Sequence, residues 1–221
     1  MPLSGKGMLV TMMDVDPAEE LDFNDWYDKE HLAERVEIEG FSEARRYIAH
    51  EAEPKYLNLY TTLTFDVLTS PQYAHALENQ TERSLHHIER FQNDSRAIAH
   101  ITASHGQGRG SVVFFAAIRP GPENRDTLRS TLNDALAALV SENDIISTHL
   151  LESDPELSKP LTVDTPPPSA HNWYVVIDAT NLDSVTKQGE NFLNQLKQIP
   201  DGTLVYSGTY RLMWDLAKNE L

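Results

Sequence analysis

The chain has 221 residues, with 18 lysines and arginines against 34 aspartates and glutamates, a formal net charge of −16, and no cysteine. Such a charge repels phosphate backbones and anionic headgroups, so neither nucleic acid nor a membrane surface is an expected partner. Without cysteine there is no disulfide, thiolate metal site, iron–sulfur cluster or cysteine nucleophile, and nothing demands an oxidising compartment. No apolar run approaches the roughly 18 residues of a membrane span, and the N-terminus lacks the apolar stretch of a leader, so a soluble cytoplasmic protein is expected.

Residues 7–15 (GMLVTMMDV) form a short apolar run that reads as a buried strand. Residues 23–38 place Phe23, Trp26, Tyr27, Ala33 and Val36 on one broad helical stripe, with Gly40 as the C-terminal stop. Residues 41–51 then read as a strand. After the Ala52-Glu53-Pro54 turn, residues 55–65 alternate with period two, setting Leu57, Leu59, Leu63 and Phe65 against Tyr56, Asn58, Tyr60, Thr62 and Thr64. Ser70 and Pro71 open a second amphipathic helix carrying Tyr73, Leu77, Leu85, Ile88 and Phe91, and residues 96–104 close the set as a fourth strand. The order is β-α-β-β-α-β.

A glycine-rich stretch, His105 to Gly110, reads as a hinge, and the same order then repeats: strand 111–118, helix 123–142, strands 144–151 and 173–179, helix 183–198 and strand 203–212. Two units are therefore expected, residues 1–106 and 107–221. The second carries a polar, five-proline insertion at 152–171, read as an irregular or polyproline-like excursion more readily than as a lid. Each unit is a four-stranded antiparallel sheet with both helices on one face. Packing the bare faces against each other gives an α+β fold of two ferredoxin-like units enclosing a space.

Within that pattern, the stretch FNDWYDKEHLAERVEIEGFSEARRY, residues 23–47, resembles the dimeric α+β barrel superfamily, in particular its EthD-like branch. There a Trp-Tyr pair and a downstream Glu-His on the first helix precede a Gly-Phe turn and an Arg-Tyr strand. The resemblance implies a small-molecule cavity, and a superfamily that spans isomerases, polyketide cyclases, quinol-forming monooxygenases, haem-handling proteins and members without activity. The second unit lacks the Trp-Tyr…His motif on its first helix. The site is therefore expected to be asymmetric, built around the first unit with the second as a lid or wall.

His31, four residues after Tyr27, borders the apolar stripe; it reads as a general acid/base or as a helix-packing histidine bonded to a backbone carbonyl or to Glu30 or Arg35. Trp26 reads as a core anchor more readily than as a cofactor stacker. Arg45 and Tyr47 share a face of their strand and Arg46 takes the other. If Phe41 packs under the helices, Arg46 enters the interior, as a clamp for a carboxylate or enolate or as an ion pair with the acidic first helix; a bulge reverses this. In the same register Tyr56, Asn58, Tyr60 and Thr62 line the barrel interior. His100, which alternates with Ala97, Ala99 and Ala103, and His149 beside Ser147 complete the pocket. The alternative is a filled polar core. His86 and His87 are adjacent and point about 100° apart, too far to share a metal from one helical face; Glu82 and His86, four apart, could ligate or simply pair. No HExxH, GxSxG, Walker or dinucleotide motif is present, and neither a metal nor a cofactor is expected.

These residues support an isomerase, lyase or cyclase without a cofactor, acting on a small oxygenated cyclic or aromatic intermediate. His31 or His100 would move the proton, and Arg46 and Tyr60 would hold the enolate. Trp26, Tyr27, Tyr47, Tyr56, Asn58 and His149 would contact substrate. The alternative is a non-catalytic small-molecule or haem-binding protein. A homodimer is compatible with either.

Overall fold

The computed structural model describes residues 5–159 and 165–221. Residues 160–164 of the expected insertion and the first four residues lie outside the described residues. In chain order the elements are β1 (Gly7–Asp14), α1 (Glu20–Trp26), a π-helical turn (Tyr27–His31), α2 (Leu32–Val36), β2 (Phe41–Glu51) and β3 (Tyr56–Thr62). After a 3₁₀ turn (Phe65–Thr69) come α3 (Pro71–Glu78), α4 (Glu82–Ile88), β4 (Gln92–Gly106), β5 (Val112–Pro120) and α5 (Arg125–Leu139). The chain continues through β6 (Ile145–Ser153), α6 (Pro155–Ser158), β7 (Trp173–Ala179), α7 (Leu182–Leu196) and β8 (Gly202–Ala217).

The eight strands close into one antiparallel barrel in the order β1-β3-β2-β8-β5-β7-β6-β4. Each run of four keeps the ferredoxin-like order, β4-β1-β3-β2 and β8-β5-β7-β6, and the two sheets look at each other across the barrel axis. Their edges are zipped by the two longest strands. The first part of β4 pairs with β1 and its last part with β6; the first part of β8 pairs with β5 and its last part with β2. Closure leaves no free sheet edge, which removes the aggregation hazard of an exposed strand.

Among the described residues the interior is packed where a hollow was expected. Met8, Val10, Met12, Leu57, Leu59 and Phe115 pack there with Val113, Val176 and Tyr210 in one apolar cluster. Two apolar layers lie outside the barrel, one under each pair of helices. The face assignment of β3 is accordingly reversed: Leu57 and Leu59 point inward, while Tyr56 and Tyr60 belong to the layer beneath α1 and α2. A barrel strand is buried on both faces, so alternation of apolar with aromatic residues does not say which face is inside.

A bulge decides the other sheet position. The pairing of β2 with β3 shifts by one residue between Phe41 and Glu43, so Phe41 and Ala44 face the helices, whereas Tyr47 faces the interior. One extra residue turns every later side chain over. Arg46 therefore lies under the helices, and Arg45 is inside. The second expected helix is also broken. Thr81 caps a fresh helix by accepting from Ser84 N, dividing the segment into α3 and α4.

The first part of the proline-rich insertion is ordered. Asp154 N donates to Ile98 O at 2.8 Å, and Ser158 Oγ bonds both Ile98 N and Ile98 O. Together these bonds pin α6 along the flank of β4.

Candidate functional site

The site begins with a local irregularity of the first helix. From Phe23, apolar residues follow at 26 and 27, then at 32 and 36, a spacing that a regular α-helix would spread around its circumference. The π-turn absorbs one extra residue, with Leu32 N donating to Tyr27 O, five residues back. Residues five apart then lie one above the other. The rings of Trp26 and His31 sit 4.5 Å apart between centroids, and Tyr27 meets His31 edge-on at 5.0 Å. In an α-helix Trp26 and His31 would diverge by about 140°. Insertions of this kind recur at functional sites. Here the insertion carries His31 from the border of the stripe to full burial.

Between this turn, α3 and β1–β3–β4 lies a partly open cavity of about 200 Å³. Its polar lining includes Tyr27, His31, Arg35, Tyr60, Gln80 and Arg96, with Asp94, Ser95, Thr11 and Tyr73 completing it, and its apolar walls include Leu9, Met13, Leu77, Ile88 and Phe91. Every lining residue belongs to the first unit, so the second unit is neither lid nor wall to it. A space of about 400 Å³ shares Tyr73, Leu77 and Arg96 with it and continues to α6. Arg96 joins the two, donating to Leu157 O at 2.9 Å and to the Tyr73 hydroxyl at 3.2 Å.

Electrostatically the cavity pairs a neutral imidazole with cationic and hydroxyl donors. Burial pushes the His31 pKa down to about 4, against the opposing pull of Glu34. Glu34 Oε2 stands 3.6 Å from His31 Nδ1, and that contact holds the carboxyl below its ordinary range. Ser84 Oγ donates to the same oxygen at 3.4 Å and itself accepts from Trp26 Nε1 and Thr81 Oγ1. Nδ1 has Glu34 as its nearest carboxylate but makes no hydrogen bond in this arrangement, so Glu34 acts on the ring through its charge, and Nε2 is the second ring nitrogen. Opposite, the hydroxyls of Tyr27 and Tyr60 are 2.7 Å apart, and burial raises the pKa of both, so each keeps its proton. Arg35 is fixed by Ala76 O and Gln80 Oε1.

The remaining candidates fall elsewhere. Arg46 is fully buried between Asp28 and Asn24, with its guanidinium over the rings of Tyr27, Phe23 and Tyr56, so it serves the ion-pair reading and not the interior clamp. Tyr56 donates to Glu20 and accepts from Asn24; Asn58 donates to Thr11 Oγ1. Both lie on the helix side and outside the cavity lining. His100 is exposed and stacks on Phe65, 3.5 Å between centroids, which separates it from His31. Tyr47 and His149 are in the barrel interior, on the far side of the sheet. There His149 lies between Ser104 and Ser147, 3.6 Å from Asp178, which also faces Arg45; Glu43 accepts from Arg45 at 3.0 Å. Burial lowers the His149 pKa. Of the polar core weighed as the alternative only His149 and Ser147 belong to this network, which ties β2 to β6 and β7. Of the ten candidate residues, the cavity brings together Tyr27, His31 and Tyr60, with Trp26 behind His31. Sequence reading missed Glu34, Gln80 and Arg96, and took Arg35 only as a packing partner of His31. Glu34 and Arg35, three and four positions after His31, carried the only available signal.

No family model and no curated protein matches the chain. Solved structures do. An anthrone oxidase-like protein aligns over 99% of this chain and 95% of its own with a TM-score of 0.67 at 10% identity. A proposed monooxygenase from Fusobacterium nucleatum covers 97% and 95% with a TM-score of 0.63 at 10% identity, and a proposed chlorite dismutase covers 95% and 96% with 0.55 at 9%. Each alignment spans both halves, so the shared feature is the whole tandem barrel. The chain thus shares with these structures the fold of two ferredoxin-like sheets closed into one barrel.

Proposed function

We propose that the protein binds a small oxygenated ring compound in the cavity of its first unit and moves a proton on it through His31. The observation that carries this reading is a buried, neutral imidazole, backed by Glu34 and facing the Tyr27–Tyr60 hydroxyl pair and the Arg35 guanidinium across one cavity. In the proposed step the substrate C–H bond breaks, its proton passes to His31 Nε2, and the electron pair moves onto the carbonyl oxygen as an enolate. Tyr27, Tyr60 and Arg35 are the donors placed to meet that oxygen. Returning the proton to another carbon completes an isomerisation.

The base limits the substrate. An imidazole with a pKa of about 4 is unprotonated at neutral pH but weak, so it takes protons only from strongly acidified carbons. Cyclic ketones and lactones whose α-carbon is also benzylic or allylic meet that requirement. A cavity of about 150 Å³ suffices for benzene, so about 200 Å³ suits one or two fused rings. Haem is far larger and requires the cavity to widen; a Soret band on adding haem would show that it does.

The test is deuterium exchange into 2-tetralone, followed by NMR in D₂O with and without protein. The wild type is expected to accelerate exchange at the benzylic position, and His31→Gln to lose about 10²–10⁴-fold of that acceleration. Equal acceleration by both proteins would remove His31 from the chemistry.

A further inference from the structure

We propose that Glu19, His86 and His87, on the surface where α1 meets α4, form a binding site for a divalent transition-metal ion of the zinc and nickel class. One donor atom from each residue lies within 4.8 Å of the others. The two imidazoles diverge along α4, as adjacent residues must, but their rings meet edge to face at 5.1 Å. The third donor comes from another helix, so the site does not depend on one helical face. Two imidazoles and a carboxylate are a donor set that zinc and nickel favour, and the half-exposed His86 leaves a position for water.

Two further observations point to a cation. His87 is buried, and its Nε2 has no hydrogen-bond partner, although Asp22 Oδ2 stands 3.2 Å away. Each carboxylate also has one oxygen taken by an arginine and the other turned to an imidazole. Arg90 Nε is 3.6 Å from Glu19 Oε1, while Glu19 Oε2 is 3.8 Å from His86 Nε2. Arg83 holds Asp22 Oδ1 at 2.6 Å, while Oδ2 faces His87. Such outer partners orient ligating groups in known metal sites. Tetrahedral zinc at about 2.0–2.2 Å from its ligands holds donor atoms about 3.4 Å apart, so rotation of the half-buried Glu19 and exposed His86 side chains closes the set.

The position gives the ion a structural effect. The His87 ring stacks on Trp26 at 4.7 Å, and Trp26 lies against His31 on the cavity side. A metal clamping His87 to Glu19 therefore braces the wall behind the cavity.

The experiment uses the untagged full chain, stripped with a chelator and titrated with zinc chloride alone and nickel chloride alone, by calorimetry and thermal melting. One equivalent of metal is expected, with a rise in Tm of about 5–10 °C at free zinc a hundredfold above Kd. Glu19→Gln combined with His86→Asn changes one half-buried and one exposed side chain and is expected to abolish both signals, while His75→Asn, an exposed histidine elsewhere, keeps them. Fewer than half an equivalent bound by the wild type, or equal binding by the Glu19→Gln/His86→Asn variant, would overturn the assignment.

Discussion

Replacing His31 by glutamine tests whether burial keeps the imidazole neutral. Its pKa is lowered from 6.5 to about 4, and a tenfold change in protonation is worth about 1.4 kcal/mol, so the gap corresponds to about 3 kcal/mol. In the unfolded chain the ring takes up its proton as pH falls past 6.5, while in the folded protein it stays neutral until about 4. Acid thus favours the unfolded state through this residue: the loss of stability starts near pH 6.5 and is complete near 4, below which both states are protonated. Glutamine does not titrate, so the difference between the two proteins isolates His31 from carboxylates that titrate in the same window. At about 2–4 °C per kcal/mol for a chain of this size, the wild-type Tm should fall about 6–12 °C further than that of His31→Gln between pH 7.5 and 4. Melting both proteins across that range by circular dichroism reads the effect. A Tm difference that stays flat with pH would refute the reasoning, because it would mean that the folded ring titrates as freely as the unfolded one.

Tyr27→Phe and Tyr60→Phe should each cost about 1–3 kcal/mol in urea unfolding, because either change strands the other buried hydroxyl. The double variant should cost less than the two together, by about 0.5–3 kcal/mol; strict additivity would mean that the hydroxyls are not coupled. Arg45→Met should cost about 3–5 kcal/mol by leaving the buried Asp178 without its arginine inside the barrel, while Glu43 keeps Arg109. The same variant should leave deuterium exchange into 2-tetralone unchanged, since the sheet separates Arg45 from the cavity; a matching loss of exchange would place the interior network in the site.

The order of elements was legible because hydrophobic period distinguishes helix from strand over stretches of eight or more residues. What it could not supply was phase. In β3 the two rows were separated correctly, but polar hydroxyls were sent inward. The side that tolerates them is the one where helices bring partners: Glu20 and Asn24 meet Tyr56, and Tyr27 meets Tyr60. In β2 the bulge between Phe41 and Glu43 inverted the arginines without leaving a compositional trace. The π-turn did leave one. On a straight helix Leu32 falls about 180° from Phe23, on the polar face, yet it is fully buried. An apolar residue opposite an otherwise consistent stripe, with Tyr27 five positions before it, is the signal of one inserted residue.

The asymmetry of the two units follows from how each fills the space beneath its helices. Under α5 and α7, Leu128, Leu132, Leu136, Phe192 and Leu196 pack with Val175 and Ile177 into an aliphatic layer whose leucines recur at helical spacing. Such side chains adapt to one another and fill that layer. Under α1 and α2 the layer is built from Phe23, Trp26, Tyr27, Tyr56 and Tyr60, whose rigid rings and polar tips must each meet a partner. Rings of that size cannot fill a curved layer completely, and the π-turn adds an imidazole where an aliphatic side chain would have sealed it. The cavity is therefore a consequence of residue choice in the first unit. The second unit supplies stiffness, by closing the barrel through β6 and β8 and by anchoring Leu157 of α6 to Arg96 at the cavity's edge.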